Sequence, residues 1–133
     1  IIGLLAKEIG GVIHFLIQSR FEAGLIDAVE LAPTVQFTPK NYNNIEMPHF
    51  SEMFVNDISR KILVDTMMSD EGGRFFQSQQ RHIIIELDPM DKIDIPDNYA
   101  WMNISQLHKF GLMELTINIE LRSLIYCLSL VKQ

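Results

Sequence analysis

Through the first two thirds of the chain, apolar and polar positions alternate at a spacing of two, and the last stretch switches to helical spacing. Residues 2–9 and 12–21 read as two strands. Gly10-Gly11 between them predicts a two-residue hairpin turn, because both central positions of such a turn need a positive φ. On the second strand Ile13, Phe15, Ile17 and Phe21 share one face, while His14, Leu16, Gln18, Arg20 and Glu22 share the other. Residues 23–25 predict a loop and 29–37 a third strand. There Thr34, Gln36 and Thr38 form a row of uncharged hydrogen-bonding side chains beside Pro33, Val35 and Phe37. Such a row suits either a solvated sheet face or a cleft for a ligand rich in hydroxyls and carbonyls. On a core face each stranded hydroxyl or amide costs about 1–3 kcal/mol.

Farther along, Pro48 predicts the first position of a short helix carrying Phe50, Met53 and Phe54 on one side. Residues 62–68 and 81–87 read as strands, 69–73 as a loop hinged on paired glycines, and 88–98 as a loop or edge strand. Asn103 and Gln106 have the spacing of a capping box for a helix over 104–110, with Gly111 closing it as a left-handed terminal residue. Ile117, Leu121, Leu124, Ile125, Leu128 and Val131 predict a second helix from about 117 to 130, packed on one face of the sheet. Strands first and a long helix last give an α+β domain built on a mixed sheet.

Composition narrows the class. A chain of 133 residues, 47% apolar, fits one domain. The single Cys127 lies in the apolar helical stripe, which excludes a disulfide framework and a cysteine zinc site and suits a reducing, cytoplasmic setting. A formal charge of -6 without like-charge runs argues against nucleic-acid binding. No apolar run reaches the roughly 18 residues of a membrane span. Residues 1–5 lack the basic region, initiating Met and cleavage site of a signal peptide, and a start inside a strand reads as a piece of a longer polypeptide.

Candidate chemistry is scattered. The histidines His14, His49, His82 and His108 show no metal-binding spacing, and dinucleotide, P-loop and hydrolase-elbow motifs are absent. His14 and His82 lie on strands and read as general bases or as structural histidines. The stretch Ser69-Asp70-Glu71-Gly72-Gly73-Arg74-Phe75-Phe76, followed by Arg81, reads in two ways. It is either a binding loop with carboxylates for proton transfer and guanidinium groups for a diphosphate, or a surface hairpin with screened ion pairs. Trp101 offers a stacking surface or core packing.

Taken in order, several blocks form one pattern. They are His14, Leu16, Gln18, Arg20, Glu22 and Gly24; Ala32-Pro33-Thr34-Val35-Gln36 with Thr38 and Asn41-Tyr42; Ser69, Asp70, Gly72, Phe75 and Arg81; Trp101, Ile104, Gln106 and Leu107; and Asn118 with Arg122. This pattern resembles the NDP-hexose 2,3-dehydratase family of deoxysugar biosynthesis. The resemblance implies a Nudix-like mixed β-sheet sandwiched between helices, with residues 1–133 forming one repeat of a longer polypeptide of two tandem repeats that also forms a homodimer. The glutamate-rich box of Nudix hydrolases is missing: Glu30 follows Gly24 but no REUXEE run appears, so neither a magnesium site nor any other cofactor is implied. Met68, Asp70 and Ser78-Gln79-Gln80 depart from the family pattern, the last by removing two positive charges.

The reaction so implied removes water across C2 and C3 of a nucleotide-linked 4-keto-6-deoxyhexose. It needs a base at C3, donors at the C4 oxygen and an acid at C2. The resemblance assigns Tyr42, Glu71 and His14 as proton carriers, and Thr34, Gln36 and Asn41 as neutral donors. Arg20 and Arg81 would hold the diphosphate, Phe75 or Trp101 would stack on the base, and Gln18 would join the substrate-binding set. Gln18, Thr34, Gln36, Tyr42 and Arg81 are expected to converge on one concavity. The alternative is a degenerate, non-catalytic repeat that binds nucleotide-sugar or buttresses its twin.

Overall fold

A computed structural model describes residues 1–21, 29–38, 48–55, 60–69, 79–112, 116–117, 121–122 and 124–125. Eight strands form one mixed sheet. In chain order they are β1 (Ile2–Ile9), β2 (Val12–Phe21), β3 (Val29–Ala32), β4 (Val35–Gln36), β5 (Lys61–Ser69), β6 (Gln79–Glu86), β7 (Tyr99–Asn103) and β8 (Thr116–Ile117), with helix α1 (Ile104–Leu112) after β7. The main path runs β5-β6-β1-β2-β3-β8, with β4 also pairing β1 and β7 also pairing β2. β1 is parallel to β6 and β3 to β8, while the other pairings are antiparallel.

The hairpin forms as its glycines dictate. Ile9 pairs with Val12, and Gly10 and Gly11 take φ of 60° and 79°. β1 sits between β6 on one edge and β2 with β4 on the other, so its apolar run is buried on both faces. Ile2, Leu4 and Ala6 join Phe15, Ile17, Leu31, Val64, Ile84 and Leu107 in one core, together with Leu121 and Leu124, which are helical. Leu5 joins Leu16, Val35, Phe37, Phe54, Ile83, Ile85 and Leu87 in a second core on the other face. We call these the helix-side and loop-side faces.

Four expectations need correction. Residues 29–37 are not one strand, because Pro33 and Thr34 break it into β3 and β4. Gly111 does not close α1, which runs through it to Leu112. The capping box itself is present: Gln106 N–H donates to Asn103 Oδ1, and Asn103 N–H to Gln106 Oε1, each at 2.8 Å. Ile117 lies in β8 rather than in the closing helix, and residues 118–120, 123 and 126–133 are outside the described ones. On the loop-side face the described cover is a 3-10 turn, Ser51–Phe54, with Leu87 and Ile93, rather than an α-helix. No helix among the described residues is long and apolar enough to cross a membrane.

Candidate active site

Strand directions gather one end of the sheet. β2 is antiparallel to β1, so its last residues and the start of β1 lie at the same end of the sheet, and β6 and β7 begin there too. Gln36 pairs with Ile2 at this end, as does His82. Thr38, Ser69 and Gln79, which flank segments 39–47 and 70–78, lie beside this same end. Asn41, Tyr42, Glu71 and Phe75 fall in the segments between and lie outside the described residues.

Side-chain alternation then divides the predicted residues. Gln18 and Arg20 share the loop-side face with Leu16, as Arg81 does with Ile83. Gln36 is paired with Ile2 and so shares the helix-side face. Gln36 and Arg81 are on opposite faces, so the four described members of the expected concavity, Gln18, Thr34, Gln36 and Arg81, do not converge, and Tyr42 lies outside the described residues. The sequence row had assumed an unbroken strand, and the break at Pro33 and Thr34 removes that assumption.

Thr34 has a different occupation. It is fully buried where β1 and β2 part company beyond the Ala6–Phe15 pair. Leu5 N–H donates to its Oγ1 at 2.9 Å, and its hydroxyl donates to the Leu16 carbonyl at 2.6 Å. One hydroxyl thus replaces the ladder bond that the fork opens, which leaves no donor for a ligand.

The polar cluster that does form is on the loop-side face. Gln18 pairs across strands with Ala32 on one side and Tyr99 on the other, and Arg20 pairs with Glu30. Arg20 Nη2 donates to Glu30 Oε2 at 2.7 Å, while its Nε is buried with no hydrogen-bond partner among the described residues. Gln18 Nε2 donates to the Pro33 carbonyl at 2.9 Å, and the Tyr99 hydroxyl donates to the Thr34 carbonyl at 2.9 Å. Burial pushes the Tyr99 phenol above its ordinary value, and the Arg20 charge opposes part of that rise. Phe50 meets Tyr99 edge-on, with ring centroids 5.2 Å apart. It does so from a left-handed backbone, φ 66°, that a bulky residue rarely adopts.

Of the other described candidates, Arg81, His14 and His82 take no part in these hydrogen bonds, and Trp101 follows Tyr99 on the same strand face. Arg81 grips Asp65 through Nε and Nη2, both at 2.7 Å, which holds the Asp65 carboxyl below the usual range. His14 is four residues back along β2 from Gln18, roughly 13 Å, and its Nδ1 lies 2.9 Å from the Val12 carbonyl. Trp101 packs against the second core with Lys7 Nζ 6.0 Å above its ring. His82 is buried on the helix-side face with Nδ1 3.0 Å from the Gln80 carbonyl. An open groove of about 450 Å³ at the other end of the sheet, lined by Arg60, Lys61, Glu86 and Asp91, holds none of the predicted site residues. Sequence reasoning missed Tyr99 and the carboxylate partners Glu30 and Asp65. The available signal was Tyr99 two residues before Trp101, which marks a shared strand face, but 99–103 had not been read as a strand.

The family profile described as NDP-hexose 2,3-dehydratase matches residues 1–128. The chain belongs to this family. It is 36% identical over 128 residues to the dTDP-4-dehydro-6-deoxy-alpha-D-glucopyranose 2,3-dehydratase of Streptomyces violaceoruber, covering 96% of this chain and 29% of that protein. The Amycolatopsis orientalis protein of the same description is 37% identical over 132 residues, covering 97% and 28%. The chain therefore spans less than a third of the length of these relatives. The fold is similar to the crystal structure of C. elegans Ap4A hydrolase, with a TM-score of 0.57, 13% identity, and coverage of 98% of this chain and 95% of that one. That likeness bears out the Nudix-like mixed sheet and carries no hydrolytic activity with it.

Proposed function

We propose that this chain is one Nudix-like repeat of an NDP-hexose 2,3-dehydratase acting on a dTDP-linked 4-keto-6-deoxyhexose. The observation that carries this reading is the family match over residues 1–128. In the reaction a base takes the C3 proton, made acidic by the neighbouring C4 ketone, and the electron pair moves onto the C4 oxygen. The pair returns to form C2=C3 as the C2 hydroxyl leaves, protonated, as water. The resulting enol then becomes a 3,4-diketone. Tyr42 and Glu71 are the proton carriers in this proposal, since their segments join described residues at the sheet end that bears Gln18 and Arg20. A second repeat, a dimer and a cytoplasmic setting belong to the same proposal and rest on the resemblance.

One observation favours the second reading, a repeat that buttresses its twin. Arg20 and Arg81 already hold Glu30 and Asp65, so neither guanidinium is idle. Steady-state kinetics on the intact protein separate the two readings. Tyr42→Phe and Glu71→Gln are expected to lower kcat by about 10²-fold or more with little change in KM, as loss of proton-transfer groups does. Arg81→Ala is expected mainly to raise KM. Full activity in both Tyr42→Phe and Glu71→Gln assigns catalysis to the other repeat.

A further inference from the structure

We propose that Tyr99 is a catalytic proton donor of this site, delivering its phenolic proton to the hydroxyl that leaves C2. This rests on the dehydratase reading above and adds a residue to it. Register places Tyr99 directly across from Gln18, on the face that carries Arg20. The Tyr99 hydroxyl donates to the Thr34 carbonyl at 2.9 Å, and the Gln18 amide, whose shorter bond is to the Pro33 carbonyl, reaches the Thr34 carbonyl at 3.4 Å. The two groups thus point at one spot, and the Tyr99 hydroxyl, half-buried where Thr34 is fully buried, turns from that carbonyl to reach a sugar hydroxyl.

Chemistry selects Tyr99 among the four polar side chains of the cluster. An acid must hold its proton until the bond to the leaving oxygen breaks. Glu30 is already engaged by the Arg20 guanidinium at 2.7 Å. Gln18 has an amide and Arg20 a guanidinium, and neither gives up a proton near neutral pH. Tyr99 keeps its proton because it is half-buried, and the phenolate left after transfer has the Arg20 charge nearby. The edge contact from Phe50 fixes the plane of the ring, and a side chain rarely adopts the backbone that Phe50 uses to make that contact.

The step balances. The C2–O bond breaks, its electron pair stays with the oxygen, and that oxygen takes the Tyr99 proton and departs as water. The enolate pair forms C2=C3, and the phenolate regains a proton from solvent or from the base that removed the C3 proton. Charged and titratable groups on or beside the elements around Tyr99 are His14 and Arg20 of β2, Glu30 of β3, Glu52 of the 3-10 turn with His49 just before it, and Asp97 just ahead of β7.

The experiment uses the intact protein and the dTDP-linked 4-keto sugar. Tyr99→Phe is expected to lower kcat by about 10²-fold or more, with KM nearly unchanged. Replacing Tyr99 by a fluorinated tyrosine keeps the ring and its hydrogen bond but makes the phenol more acidic. The basic limb of the kcat–pH profile is then expected to move to lower pH, because the protonated form is the active one. A loss of less than about threefold in Tyr99→Phe overturns the proposal. An inactive Tyr99→Phe with an unmoved basic limb in the fluorinated protein also overturns it, leaving Tyr99 as a prop for the Thr34 carbonyl. If the wild-type protein releases no dehydrated sugar, the dehydratase reading itself fails, which is a separate result.

Discussion

At Thr34 one side chain decides whether two strands can separate. Its hydroxyl serves Leu5 N–H and Leu16 C=O at once, in a site with no solvent exposure. Thr34→Val keeps the shape and removes both bonds, leaving a buried donor and a buried acceptor. The expected loss is about 2 kcal/mol or more, since each stranded group costs about 1–3 kcal/mol. Denaturant melts of Thr34→Val and Thr34→Ser check this, with Ser expected to retain most of the stability. The same residue shows where reading the sequence stops. Threonine at 34 read as a hydroxyl on a solvated sheet face or in a cleft, and it is buried instead. Its burial depends on a fork at Leu5 and Leu16, 29 and 18 positions upstream, and no local pattern contains that. Gln18 and Arg20 were legible as a polar strand face, and they do share one, but their partners Tyr99 and Glu30 come from other strands.

Elements whose cause is local were read well, and elements whose cause is distant were not. The Gly10-Gly11 turn, the long strands and the capping box each depend on a few adjacent residues. β7 was missed because its reason for being extended is β2, to which it pairs over His14 to Gln18. Residue 3 shows the same dependence in packing. A Cβ added to Gly3 would lie 2.6 Å from both the Phe54 ring and a methyl of Val35. The 3-10 turn therefore docks on β1 through the missing side chain. Gly3→Ala is expected to push Phe54 outward and to cost about 1–3 kcal/mol, the usual range for overpacking. Thermal melts of Gly3→Ala and of Gly3→Ala with Phe54→Leu test it, and the smaller partner should restore part of the loss.

For the whole molecule, family and fold come from different evidence and agree. Residues spread from 14 to 122 resemble one family, the profile match covers 1–128, and the mixed sheet is similar to that of a hydrolase with 13% identity. In the dehydration proposed above, a proton beside a ketone needs a base and an acid rather than charge neutralised at phosphorus. Exhaustive dialysis of the intact protein against a chelator is therefore expected to leave the dehydration rate unchanged. A rate that falls and returns with added magnesium would contradict this mechanism.

The parallel pairing of Ile2–Ala6 with His82–Glu86 joins residues about eighty positions apart. During synthesis β1 can meet β2 as soon as the hairpin emerges, but its other edge stays bare until β6 has left the ribosome. Closing so long a loop is entropically costly and slow. For that interval Ile2, Leu4 and Leu5 stand on an open strand edge, the form in which chains pair with the wrong neighbour. The central strand of the finished sheet is thus the nascent chain's most exposed liability.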